Sequence, residues 1–272
     1  MNQPKIRLLG QNISYTVAEN LFAETVTYVE HYSDTLFRFR ITRPPSFRFR
    51  SGEFVMIGLP RGEKPIFRAY SIASPIWDEE LEFYSIKVPG GPLTEHLQKI
   101  VAGDTILLRK KSTGTLVVDA LLPGKRLYLL ATGTGVAPFA SLIRDPEVYE
   151  KFKEIVLVQT TRQCVELNYA RQLVAELPQD PLIGEFVQQL QFYPMTTREP
   201  SPHMGRITEE MASGRFFLRA GLPPLNPEED RVMICGSIAM LKDAAALCES
   251  LGFVEGANNA PASFVVERAF VG

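Results

Sequence analysis

The stretch Leu127-Tyr128-Leu129-Leu130-Ala131-Thr132-Gly133-Thr134-Gly135-Val136-Ala137-Pro138 decides the fold. Five apolar residues in unbroken succession read as a strand covered on both faces, since a half-exposed strand would alternate. Two glycines follow, then Pro138, which suits the first turn of a helix because no N–H is needed there. A strand running through a glycine turn into a helix gathers backbone N–H groups where a pyrophosphate can bind. The run departs from the dinucleotide fingerprint G-x-G-x-x-G, with Pro138 in place of the third glycine. A lone G-x-G is more often a plain tight turn. The strand before it and the helix after it favour the nucleotide reading.

C-terminal to this stretch, short apolar runs alternate with helical segments. Residues 127–131, 155–160, 190–193, 232–235 and 264–267 read as strands, and 138–143, 165–177, 208–213 and 238–251 as helices. That alternation predicts a doubly wound α/β domain with a parallel sheet. Residues 215–228, with Gly221, Pro223, Pro224 and Pro227, read as a loop-rich excursion. N-terminal to it the pattern is all strand: 25–32, 35–42, 54–59, 68–73, 81–88 and 105–110, with proline and glycine turns between them. Many short strands at this spacing predict a closed antiparallel β-barrel, interrupted by one helix at 93–100. The domains are therefore expected at 1–122 and 123–272, joined at Leu121-Leu122-Pro123-Gly124.

Composition narrows the function classes. Of 272 residues, 45% are hydrophobic and 22% charged, which excludes a disordered or fibrous chain. No run approaches the ~20 apolar residues of a membrane span, and residues 1–10 lack the apolar stretch of a signal peptide. Three scattered cysteines (Cys164, Cys235, Cys248) suit neither a disulfide framework nor a metal or iron–sulfur site. A cytoplasmic location and no metal are the expectations. Residues 1–126 carry a net +4 and the remainder −6. Within the first part, 38–68 holds eight basic residues against Glu53 and Glu63. Two readings stand for it: solvated strand faces, or, together with Lys110 and Lys111, a docking surface for an acidic partner. Nucleic acid fits poorly with a slightly acidic chain that carries no nucleic-acid motif.

Two motifs in the barrel half add chemistry. In Arg68-Ala69-Tyr70-Ser71, alternation puts Arg68 and Tyr70 on one face and Ala69 and Ser71 on the other. Arg68 can pair with phosphate, Tyr70 can lie against a flat ring, and Ser71 can hydrogen-bond a ring heteroatom. Gly91-Pro92-Leu93-Thr94 offers a second phosphate turn, or a plain helix cap. In the second half the strand at 155–160 ends in Thr160-Thr161-Arg162, without the acidic residue that grips a ribose 2′-hydroxyl. Arg162, with Arg198 and Arg206 further on, is either ordinary surface charge or, as placement after candidate strands favours, a contact for a 2′-phosphate and hence for NADP over NAD. Two phosphate sites imply two nucleotides.

These motifs, with Cys235-Gly236-Ser237 and the tail 266–272, occur in an order that resembles the bacterial ferredoxin–NADP reductases. The resemblance spans residue 15 to the end. It implies a barrel that binds FAD and an α/β domain that binds NADP. It implies Arg68 at the FAD pyrophosphate with Ala69 beside it, Tyr70 on the isoalloxazine and Ser71 near flavin N5. Tyr84, Ser85, Ile86, Lys87 and Val88 would support the flavin edge, and Gly91, Leu93 and Thr94 its phosphates. Thr134 and Gly135 would contact NADP, and Arg162, Arg198 and Arg206 its 2′-phosphate. Cys235 would face the nicotinamide, or be a buried small hydrophobe. Glu267 would relay a proton, or be a structural acid. Ala269 would take the position from which an aromatic ring covers the isoalloxazine in plastid relatives, and Phe270 would pack on the FAD adenine.

The implied activity is hydride exchange between NADP(H) and FAD and single-electron exchange with a separate ferredoxin or flavodoxin, by a monomer. The alternatives are a related reductase of free flavin, ferric iron or quinone, an electron-transfer subunit of a larger complex, and a partner-binding barrel that is no enzyme.

Overall fold

The computed structural model describes residues 5–61 and 65–268. A short hairpin comes first, β1 (Lys5–Leu8) and β2 (Gln11–Ser14), turning where Leu9 and Gly10 both have positive φ. Five strands follow: β3 (Leu21–His31), β4 (Leu36–Thr42), β5 (Phe54–Gly58), β6 (Phe67–Ser71) and β7 (Glu80–Ile86). After the short helix α1 (Thr94–Leu97) comes β8 (Thr105–Thr113). β3 to β8 form an antiparallel sheet in the order β6-β5-β8-β3-β4-β7. Irregular register at Val26/Tyr28 and Val55/Ile57 adds the local twist that curls a sheet. Its end strands meet: the Tyr70 and Ser85 hydroxyls are 3.2 Å apart, and Ala73 N–H donates to the Glu82 carbonyl. The barrel is thereby closed. Along β4, Phe37, Phe39 and Ile41 point into its core, and Arg38 and Arg40 point out. Each such buried side chain contributes about 1.5–3 kcal/mol.

The second half is a five-stranded parallel sheet. Its strands are β9 (Arg126–Thr132), β10 (Glu154–Thr161), β11 (Leu190–Thr196), β12 (Asp230–Cys235) and β13 (Phe264–Val266), in the order β11-β10-β9-β12-β13. The helices are α2 (Ala137–Leu142), α3 (Pro146–Lys151), α4 (Asn168–Glu176), α5 (Ile207–Ala212), α6 (Arg215–Ala220) and α7 (Ile238–Ser250). Leu127, Leu129 and Ala131 belong to one hydrophobic cluster, with residues of α2 and α4. Tyr128 and Leu130 belong to another, with α5, α6 and α7. Both faces of β9 are covered, which is why its sequence is apolar without a break.

Several elements differ from the sequence expectations. The excursion expected at 215–228 contains α6. Gly214 and Gly221 bound it in left-handed conformations, Phe216 and Phe217 are buried, and the prolines all come later. The helix expected at 93–100 shrinks to one turn, and the chain leaves it through tighter bonds, Lys99 N–H to the His96 carbonyl and Ile100 N–H to the Leu97 carbonyl. β1, β2 and α3 were not anticipated. Pro146 begins α3 behind the Asp145 cap, whose side chain accepts the Glu147 N–H at 3.0 Å. β11 runs through Pro194, which its edge position tolerates.

The junction between the halves is clamped. Leu122 N–H donates to Ala262, and the Arg231 guanidinium donates to the carbonyls of Leu122, Pro123 and Pro227. Among the described residues no helix is long and apolar enough to cross a membrane.

Candidate active site

Strand order places the site. β10 and β12 flank β9, so the chain reverses its winding direction there, and a crevice opens beyond the carboxyl ends of β9 and β12. The glycine turn, residues 133–136, lies in it. Gly133 has φ +54°, with open space where a side chain would project. At Gly135 a Cβ would lie 2.3 Å from the Cys235 carbonyl oxygen, so only glycine lets the two strand ends approach this closely. The Thr132 hydroxyl accepts the Ser237 N–H at 2.9 Å, and Gln159 donates to the Gly133 carbonyl at 3.0 Å.

The barrel supplies the opposite wall of a cleft of about 1090 Å³. Arg68, Ala69, Tyr70 and Ser71 of β6 line it, with Tyr84, Ser85 and Ile86 of β7, Val88, Gly91, Leu93 and Thr94. All four β6 residues reach the cleft, from both faces of the strand. β6 has a ladder with β5 only and meets β7 at the barrel seam, where side chains from either face can reach the cleft. From the α/β half come Thr134, Gly135, Arg162, Arg198, Arg206 and Cys235. The three arginines converge because the loops after β10 and β11 run side by side. Arg198 N–H donates to the Arg162 carbonyl, and Gly205 N–H to the Thr196 carbonyl.

Two candidates do not line the cleft. Lys87 turns the other way and donates to the Ser33 carbonyl at 3.1 Å. Glu267 is buried, and its carboxylate accepts the Thr115 N–H at 3.2 Å. Its backbone N–H donates to Ile234, so it ties the barrel to β12. Ala269 and Phe270 lie outside the described residues.

The cleft also holds residues that sequence reasoning missed, among them Thr132, Thr160, Thr161, Thr197, Ser237, Met240 and Asp243. The threonines had a signal, since each closes or follows an apolar run at the carboxyl end of a strand. Met240 and Asp243 had none: they lie on one side of α7, which only the packing reveals.

The electrostatics suit two anionic, ring-bearing ligands. Arg68, Arg162 and Arg198 have no carboxylate partner among the described residues, and Arg206 has only the exposed Glu209 at 3.6 Å. Thr160 Oγ1 is buried and makes no hydrogen bond among the described residues. Burial pushes the Tyr70 hydroxyl up to about 12, against the lowering effects of the Ser85 hydrogen bond and Arg68, so the ring presents a neutral phenol. At Gly91 a Cβ would lie 2.2 Å from Thr94 Oγ1, which keeps that turn tight. Arginines with no buried carboxylate partner among the described residues, two glycine turns and the tyrosines Tyr70 and Tyr84 line one cleft, which fits FAD on the barrel wall and NADP on the other.

Burial pushes the Cys235 thiol well above its ordinary range, and the Glu267 carboxylate adds to this. Burial likewise raises Cys248 to about 12. The unfolded chain loses these protons near pH 8.5, while the folded chain keeps them. Their contribution to stability is therefore present below about pH 8.5 and lost as pH rises above it. Denaturation midpoints at pH 7, 8.5 and 10 should fall between the last two, and a flat profile would contradict this assignment.

Comparison with known proteins agrees with the two walls. The Oxidoreductase FAD-binding domain model matches residues 25–116, and the Oxidoreductase NAD-binding domain model matches 129–246. Fold and cleft together define a two-domain oxidoreductase of flavin and nicotinamide nucleotides. The chain is 63% identical to a flavodoxin/ferredoxin–NADP reductase of Rhodobacter capsulatus, over 92% of this chain and 93% of that one. It is 50% identical to a ferredoxin–NADP reductase of Pseudomonas aeruginosa, over 93% and 98%. The crystal structure of a ferredoxin NADP+ reductase from Neisseria gonorrhoeae with bound FAD and NADP superimposes with a TM-score of 0.84 at 31% identity, covering 92% of this chain and 99% of that one. The chain belongs to the ferredoxin–NADP reductase family. It is an enzyme whose cofactors are FAD and NADP.

Proposed function

We propose that this chain takes hydride from NADPH within the cleft and delivers single electrons to a separate ferredoxin or flavodoxin. The observation that carries the reading is the pairing of walls: a tyrosine-and-arginine wall from the barrel faces a glycine turn and three arginines from the α/β half. Bound FAD supplies the exchange between a two-electron donor and a one-electron acceptor. Arg68, with Ala69, would hold the FAD pyrophosphate, and Gly91, Leu93 and Thr94 would close over its phosphates. Tyr70 would support the isoalloxazine, Ser71 would hydrogen-bond near N5, and Tyr84, Ser85, Ile86 and Val88 would flank the ring. Thr134 and Gly135 would take the NADP pyrophosphate, and Arg162, Arg198 and Arg206 its 2′-phosphate. Cys235, small and held neutral, would leave room for the nicotinamide. Glu267 would fasten the barrel to β12 rather than relay a proton. The domain boundary at 122/123 accords with the two matched regions. Three free cysteines suit a reducing cytoplasm, and a monomer completes the reading.

Within the 38–68 stretch the exposed Arg48 and Arg61 have no carboxylate partner among the described residues, and three other arginines are paired. Arg38 pairs with Glu30 and Glu82, Arg40 with Asp78 and Glu80, and Arg50 with Glu53 and Asp119. Arg109, Lys110 and Lys111 on β8 are exposed and have no carboxylate partner among the described residues. They are the proposed contact for an acidic carrier. Lys110→Glu with Lys111→Glu should slow carrier association about 10-fold at low salt, with the difference closing at high salt and the NADPH step unchanged. Saturable reduction of ferredoxin or flavodoxin by stopped flow tests this. An association rate equal to wild type would remove the surface, and no saturable carrier reduction at all would favour a reductase of small acceptors.

A further inference from the structure

Glu82 is a buried carboxylate on β7, outside the cleft, and its partners come from both halves of the molecule. It accepts a hydrogen bond from the Tyr169 hydroxyl of α4 at 2.6 Å. Arg144, two residues beyond α2, reaches it at 3.4 Å and also donates to the Ala73 carbonyl. Arg38 of β4 lies 3.7 Å away. A buried charge with such partners holds them firmly, because removing one strands the rest.

Each connection leads to a wall of the cleft. Tyr84, two residues along β7 and on the same face as Glu82, lines the cleft and stacks on the Tyr169 ring, with centroids 4.3 Å apart and planes at 15°. Its hydroxyl donates to the carbonyl of Glu166, another lining residue, at 3.5 Å. Ala73 follows β6, the strand of Arg68 to Ser71. Arg144 follows α2, the helix that leaves the glycine turn. Glu82, Arg144 and Tyr169 themselves do not line the cleft.

We propose that Glu82 and Tyr169 form a positioning latch, a buried hydrogen bond that sets the separation of the two cleft walls and seats Tyr84. The inference rests on the function proposed above. Hydride transfer needs its reacting atoms about 3–3.5 Å apart, and small misplacements cost large factors in rate. Burial pushes the Tyr169 hydroxyl far up, so it stays a neutral donor to the carboxylate.

Tyr169→Phe removes the hydroxyl and keeps the ring. In holoenzyme mixed anaerobically with NADPH, the limiting rate of flavin bleaching should fall about 10-fold. FAD content should hold, and the NADP+ dissociation constant should change by less than about twofold. A second readout needs no turnover. Trp77, the single tryptophan, donates to the Arg144 carbonyl beside the latch, and its quenching by acrylamide should increase. Glu82→Gln keeps the shape and an acceptor but loses the charge that holds Arg144. It should shift both readouts in the same direction by about threefold, and it decides the matter if Tyr169→Phe does not fold. A wild-type limiting rate, unchanged Trp77 quenching, or a loss confined to NADP+ affinity or melting temperature overturns the latch. A wild-type holoenzyme that NADPH cannot bleach overturns the function reading beneath it.

Discussion

Replacing Arg198 and Arg206 together by alanine should lower NADPH-driven flavin reduction, measured as kcat/KM, by roughly 100-fold or more and leave the NADH reaction unchanged. Both arginines are exposed, line the cleft and come from the loop between β11 and α5. Arg198 has no carboxylate partner among the described residues, and the Arg206–Glu209 pair is too exposed to hold its guanidinium back. Each hydrogen bond to a charged group is worth about 1.5–3 kcal/mol, and 1.4 kcal/mol is a factor of ten. NADH lacks the 2′-phosphate, so it has nothing to lose. A parallel fall for both nucleotides would mean general damage. No fall for either would place the 2′-phosphate elsewhere.

The second large effect concerns Gly135. Gly135→Ala would put its methyl 2.3 Å from the Cys235 carbonyl oxygen and 2.6 Å from the carbonyl carbon. Both are backbone atoms at the end of β12, so no side chain can turn aside to make room. Either β9 and β12 spread or the glycine turn moves, and both spoil the phosphate site. We expect a loss of about 2–4 kcal/mol in stability and at least about 100-fold in NADP+ affinity. Gly133→Ala is the contrast: φ is +54° but the space is open, so only backbone strain of about 1–2 kcal/mol applies. Denaturant midpoints and NADP+ titrations of the two variants measure the difference. Equal, small effects would show that the strand ends tolerate separation.

The sequence made much of this architecture legible, for physical reasons. The unbroken apolar run 127–131 encodes a strand covered on both faces, and the two clusters on either side of β9 are its counterpart. Alternation along 35–42 encodes β4, with Phe37, Phe39 and Ile41 inside. Local composition failed where context decides. α6 was hidden because prolines after Gly221 dominate its window, although Phe216 and Phe217 anchor it. In the site, glycine turns and strand-end arginines were readable because their chemistry is local. Lys87 was not, because a side chain's direction depends on what packs beyond it, whereas Glu267 has the structural partner that one of its two readings expected. Likewise the basic stretch 38–68 gave no sign that Arg38, Arg40 and Arg50 spend their charge on carboxylates brought from β3, β7 and the loops.

One cleft that holds a flavin against a nicotinamide nucleotide carrying a 2′-phosphate has a spectroscopic signature. Anaerobic titration of the purified chain with NADPH, and separately with NADH, followed by the visible spectrum, tests it most directly. The expected result is a yellow protein that NADPH bleaches readily and NADH poorly. A protein still colourless after FAD is added would contradict it.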